Sequence, residues 1–136
     1  MRRFHPKAWL AIAVLAVAGA CGSDSSTSPD ITAGGTWNLQ QINGSVLPVT
    51  LGSGTQAVTI LTSVLTMSAN GNYNELVTLL PAGQTTNTTF TEIGTWTTAN
   101  GIVTFNDQTD GIVYTGTVTG NTLTEVGSGF TSVYTR

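Results

Sequence analysis

Apolar and polar positions follow two regimes along this chain. Residues 8–20 form one continuous run of apolar and small side chains, headed by Arg2, Arg3 and Lys7 and closed by Ala18-Gly19-Ala20-Cys21. A basic head, a short apolar stretch and small residues before a cut site are the parts of a helical secretory signal, and the run is shorter than the ~20 residues that span a bilayer. Small polar residues follow: Gly22-Ser23-Asp24-Ser25-Ser26-Thr27-Ser28-Pro29-Asp30 has nothing to bury and reads as a flexible tether. From about Gly34 the pattern changes to short runs rich in Thr, Val, Ile, Trp, Tyr and Phe, separated by turn dipeptides.

Asn43-Gly44, Asn70-Gly71 and Asn100-Gly101 are hairpin signals, since both central positions of such turns favour positive φ. Asp110-Gly111 and Gly120-Asn121 are further turns. Strands are predicted over 36–42, 46–51, 57–62, 64–69, 73–80, 89–97, 102–106, 112–119, 122–126 and 131–134, with no helical periodicity after the tether. Within 112–119, Ile112, Tyr114, Gly116 and Val118 share one face, while Val113, Thr115, Thr117 and Thr119 share the other, which meets water. The expected organisation is a signal peptide at 1–20, a lipidated Cys and Ser-rich tether at 21–33, and an all-β domain at 34–136.

About 100 residues bury a single core, and eight to ten short strands fit either a closed antiparallel up-and-down barrel or a two-sheet sandwich. Charge favours closure. Open sheet edges are commonly guarded by Lys and other charges, and no Lys follows Lys7. Beyond the leader, Arg136 is the one basic residue against Asp24, Asp30, Glu75, Glu92, Asp107, Asp110 and Glu125. Nucleic acid is excluded as a partner, because phosphates need Lys and Arg to neutralise them.

Cys21, the single cysteine, has two readings. An ordinary cut after Ala20 would release it as a free N-terminal residue. Ala18-Gly19-Ala20-Cys21 also resembles the lipobox of bacterial lipoproteins, and lipidation removes an odd thiol that has no disulfide partner in an oxidising compartment. The resemblance implies a diacylglyceryl thioether on Cys21, usually with a third chain such as palmitate on its amine, and two chains suffice for stable anchoring. The protein is therefore expected to be exported and held at a membrane, the outer one if the cell is Gram-negative, through lipid on Cys21.

Gly35-Thr36-Trp37-Asn38-Leu39, Asn43-Gly44-Ser45 and Leu47-Pro48 resemble the opening of bacterial lipocalin-like domains. Ser68-Ala69-Asn70-Gly71-Asn72-Tyr73, Gly94-Thr95-Trp96, Gly120-Asn121-Thr122-Leu123-Thr124 and Val133-Tyr134-Thr135-Arg136 match their recurrent hairpins and last strand. The resemblance implies an up-and-down barrel, sometimes with a ligand cavity; the Arg that follows a late strand in larger lipocalins is loosely represented by Arg136. A small apolar ligand would then meet Trp37, Tyr73, Trp96, Phe105 and Tyr114. Trp37 and Trp96, each in a Gly-Thr-Trp, could instead simply pack in the core, which is the commoner fate of a strand Trp.

Chemistry is sparse. With His5 and Lys7 in the leader and Cys21 lipidated, the usual general base, amine and thiolate nucleophiles and His/Cys metal sites are missing, so no catalytic residue, cofactor or metal is expected. Glu75 and Glu92, on neighbouring predicted strands, would form an acid pair if both pointed inward; exposure on a polar face is the ordinary expectation for Glu. Asn106-Asp107-Gln108-Thr109-Asp110-Gly111 carries oxygens as a weak Ca²⁺ loop does, but Thr117 stands where an EF-hand needs Glu, and any hairpin loop has this composition. Three classes of function remain: a lipid-tethered barrel binding a small apolar ligand, a non-catalytic interaction module of the envelope with a solid core, and, last, an acid hydrolase.

Overall fold

A computed structural model describes residues 32–136; Cys21, the leader and most of the tether lie outside the described residues. Ten strands run in chain order: β1 Gly35–Ile42, β2 Ser45–Val46, β3 Val49–Leu51, β4 Val58–Met67, β5 Asn72–Pro81, β6 Thr88–Ala99, β7 Ile102–Asp107, β8 Val113–Thr119, β9 Thr122–Gly127 and β10 Phe130–Thr135. Each strand from β4 to β10 pairs antiparallel with the next. β1 closes the sheet from both sides: Gly35–Asn38 pair with Val64–Met67 of β4, and Asn38–Ile42 with Ser132–Thr135 of β10. The result is a closed eight-stranded barrel, with β2 and β3 as added short strands. The sandwich is thereby set aside.

Two differences from the sequence expectation have local causes. The segment 46–51 divides into β2 and β3 around Leu47-Pro48, because Pro48 has no N–H to give to a ladder. Conversely, 57–62 and 64–69 are one strand, β4, with a register shift between Ile60 and Thr62. The extra residue of such a bulge resets side-chain parity, so Ile60 and Ser63 are both buried. β1 does the same between Leu39 and Gln41, and buries both Leu39 and Ile42.

Turn chemistry follows expectation at Asn43-Gly44 and Asn100-Gly101, where all four φ angles are positive. Ser128-Gly129, absent from the sequence expectation, adopts the same pair of conformations. The strands place one end of the barrel at the β4–β5, β6–β7 and β8–β9 turns, together with Ala33 and Arg136. That end is filled by Trp37, Leu65, Met67, Trp96, Val103, Phe105 and Leu123, all buried. Trp37 Nε1 donates to Ala33 O at 3.0 Å, and Trp96 Nε1 to Ser68 O at 3.0 Å. Arg136 lies 4.3 Å over the Trp37 ring and donates to Gly34 O at 2.9 Å. Ala33, assigned to the tether from sequence, is thus a core residue.

Outward positions such as Thr36, Thr89, Thr91, Thr97, Thr115 and Thr117 are exposed, as the alternation requires. Inward glycines make room for rings. A Cβ on Gly94 would collide with Asn106 O and stand 2.6 Å from Tyr73 Cε1. Gly94→Ala is therefore expected to destabilise the barrel by about 1–3 kcal/mol, read as a lower urea midpoint at unchanged m-value. Gly44→Ala, where a Cβ meets nothing within 4 Å, costs only the strain of its positive φ.

Candidate functional site: an acidic interior cavity

The opposite end of the barrel is not filled. A cavity of about 220 Å³ lies there, with an apolar wall that includes Leu39, Ile42, Leu51, Ile60 and Val77. Phe90, Ile112 and Phe130 also line it, at 39%, 38% and 40% exposure, as ring and side-chain edges of an open mouth. A second recess, about 490 Å³, lies at the closed end against Thr32, Ala33, Asn100 and Val103, and no titratable side chain lines it.

Below the mouth the inward alternation of five strands delivers polar groups into the first cavity: Ser63 from β4, Glu75 from β5, Glu92 from β6, Glu125 from β9 and Tyr134 from β10. Tyr114 of β8 completes the set. Glu75 and Glu125 are each only 6% exposed. Glu75 Oε1 accepts hydrogen bonds from Ser63 Oγ and, at 2.8 Å, from Tyr134 OH. Glu125 Oε1 is buried with no hydrogen-bond partner. Buried polar atoms are nearly always paired, so an orphaned carboxyl oxygen on a cavity wall marks a place where something else can bind.

Burial sets the electrostatics. It raises the Glu75 pKa, with the Ser63 and Tyr134 hydrogen bonds opposing it. It raises Glu125 well above the ordinary carboxylate range; the neighbouring charge of Glu75 adds to this, and a hydrogen bond with Tyr134 opposes it. Glu92, half-buried, is pushed up to about 7 by desolvation and then by Glu75, Asp107 and Asp110. The Tyr114 and Tyr134 phenols are raised by burial and by the same carboxylates. The lining residues include no Lys, Arg or His.

The residues expected to meet a ligand divide. Tyr114 lines the cavity, stacked on Phe105 at 4.9 Å and donating to Tyr73 OH at 3.1 Å. Tyr73 and Phe105 pack edge to face beneath it at 5.4 Å. These two, with Trp37 and Trp96, belong to the packed core and do not line the cavity. The exposed-face expectation for Glu75 and Glu92 is corrected: they are register partners across β5 and β6 and both line the interior. Glu125, Ser63 and Tyr134 were missed. Their signal was parity, since Glu125 alternates with Leu123 and Tyr134 with Ser132, but a Glu on an apolar face reads as an error until its neighbours are known.

Glu92, Asp107 and Asp110 bring one carboxylate oxygen each within 4.8 Å of one another, which places the loop considered for Ca²⁺ beside the cavity. Asp107 Oδ1 already accepts the Thr109 and Asp110 N–H groups, at 2.7 and 3.4 Å, and so shapes the β7–β8 turn.

A carboxyl whose pKa is raised on folding loses protons from the unfolded chain first as pH rises, so its contribution to stability is full below the unfolded pKa and is lost as pH passes the folded pKa. Glu75, Glu92 and Glu125 all act in this direction, Glu92 through about pH 7. The melting temperature is therefore expected to be higher at about pH 5 than at about pH 8. Glu125→Gln, which removes the proton that burial demands, flattens that slope; thermal melts across this range on both proteins check it.

No family model, curated protein sequence or solved structure matches the chain.

Proposed function

We propose that the barrel is a small-ligand binding module, carried to a membrane surface by lipid on Cys21. One observation carries the binding half: a mouth-accessible cavity lined by the buried carboxyl of Glu125, one of whose oxygens has no hydrogen-bond partner. A module serving only as a solid interaction surface has no use for a desolvated carboxyl oxygen left unpaired, which costs free energy. Supporting the lipocalin-like resemblance, Trp37 of its Gly-x-Trp and the late Arg136 meet at the closed end.

Size limits the occupant. A cavity of about 150 Å³ holds a benzene ring, so 220 Å³ encloses a ring with a short arm and is too small to enclose a long acyl chain. The same limit speaks against hydrolysis of a glycoside by Glu75 and Glu92, because a pair of carboxyls must flank a bond between two sugar rings. Binding is the better use of this space.

The tether joins at Thr32, beside the closed end, and the mouth is at the other end of the strands. Attachment at that end leaves the mouth clear of the tether and open to a ligand from solution.

Two measurements test this reading. Native mass spectrometry and thermal shift are run on the mature chain with Cys21→Ser against ring-bearing molecules of about ten heavy atoms. Adducts with a raised melting temperature are expected, and Ile60→Trp, which fills the cavity, should abolish them; no shift with any such molecule would mean a cavity without a ligand. Separately, the full-length protein should fractionate with membranes and Cys21→Ser with the soluble fraction. Equal membrane retention of both would sink the anchor.

A further inference from the structure

Resting on the binding reading above, the identity of the polar groups in the cavity narrows the ligand. Three carboxyls, Glu75, Glu92 and Glu125, line it, and no cationic side chain does. Arg136, the one basic residue beyond the leader, is committed to Trp37 and Gly34 O at the closed end. Glu75 has its two hydroxyl donors, whereas Glu125 Oε1 has none. An acidic interior with no internal counter-charge is complementary to a cation supplied from outside.

We infer that the ligand is a small organic amine, bound as its ammonium to Glu125 with its hydrocarbon part against Ile42, Ile60, Val77 and Phe130. The apolar walls distinguish this from a hydrated metal ion, which keeps water around it and gains nothing from aliphatic side chains. They also leave only one end of the ligand to be polar. A ligand that is itself an acid would find no cationic side chain in the cavity and would lose the hydration of its own charge without compensation. The raised pKa of Glu125 adds a proton account. Burial favours the protonated carboxyl in the free site; on binding, the ammonium takes the place of the proton it holds, which leaves to solvent. The ammonium keeps its own three protons, so binding is coupled to proton release.

Phenethylamine, 2-phenylethanol and 3-phenylpropionate share a ring and a two-carbon arm and differ in the charge of the end group. Calorimetric titration of each into the mature chain carrying Cys21→Ser, at neutral pH, discriminates among them. Phenethylamine should bind about tenfold tighter than the alcohol or better, with 3-phenylpropionate weakest. Its heat should vary with the ionisation enthalpy of the buffer, as proton release requires. Adding Glu125→Gln should remove the preference for the amine while leaving alcohol binding in place. Should that variant not fold, lowering the pH toward about 5 on the parent protein should shrink the same preference, because displacing the proton becomes harder. Alcohol binding as tight as amine binding would overturn the amine assignment and leave the cavity reading standing. Calcium chloride binding in its place, lost with Glu125→Gln, would also overturn it. If none of the three molecules binds to the folded protein, both readings fall.

Discussion

The double pairing of β1 is the constraint on which the molecule depends. Its first half is hydrogen-bonded to β4 and its second half to β10, with Asn38 paired to both Val64 and Thr135. A sheet closed this way has no free edge along those strands, so a domain with no Lys needs none to guard it. Closure also creates an inside. An eight-stranded barrel has an interior just wide enough to be filled by side chains or to hold one small guest, and here each outcome occupies one end.

Which end stays open follows from where the large and small side chains fall. Trp37, Trp96, Phe105, Leu65 and Leu123 fill the lower half, and inward Gly94, Gly116 and Gly127 let the rings of Tyr73, Phe105 and Tyr114 lie close. Above them the inward residues become Ser63, Glu75, Glu92 and Glu125, too short to meet at the axis, under an incomplete rim of Phe90, Ile112 and Phe130. The bulges in β1 and β4 sit at this level and turn additional apolar residues inward. The cavity is thus a change in side-chain size along strands that continue unbroken.

The barrel was largely legible in the chain because Asn-Gly turns and period-two alternation are local signals. The edge argument added closure. What was hidden was non-local. The boundary expected at Ser63 divides what is one strand, and only pairing with β5 reveals a bulge between Ile60 and Thr62. The inward direction of Glu75 could be read from Tyr73 and Val77 on the same face, yet burial of a Glu is acceptable only given Ser63 and Tyr134, 12 and 59 positions away in the chain. The aromatic residues were recognisable as interior, but which of them face a void depends on how eight strands taper, and Tyr114 alone of the five does so.

Charge then gives the barrel a direction. Arg136 sits at the plugged end and the carboxyls of Glu75, Glu92 and Glu125 gather near the mouth, so the potential grows negative toward the opening whenever these groups ionise. Burial favours their neutral forms while the cavity is empty, which lessens the repulsion among three close carboxyls. On the proposed reading, an arriving cation is what makes ionisation favourable. The energetic cost of burying Glu125 with one oxygen unpaired is then offset when the cavity is occupied, and the same residue that weakens the empty barrel supplies the affinity of the filled one.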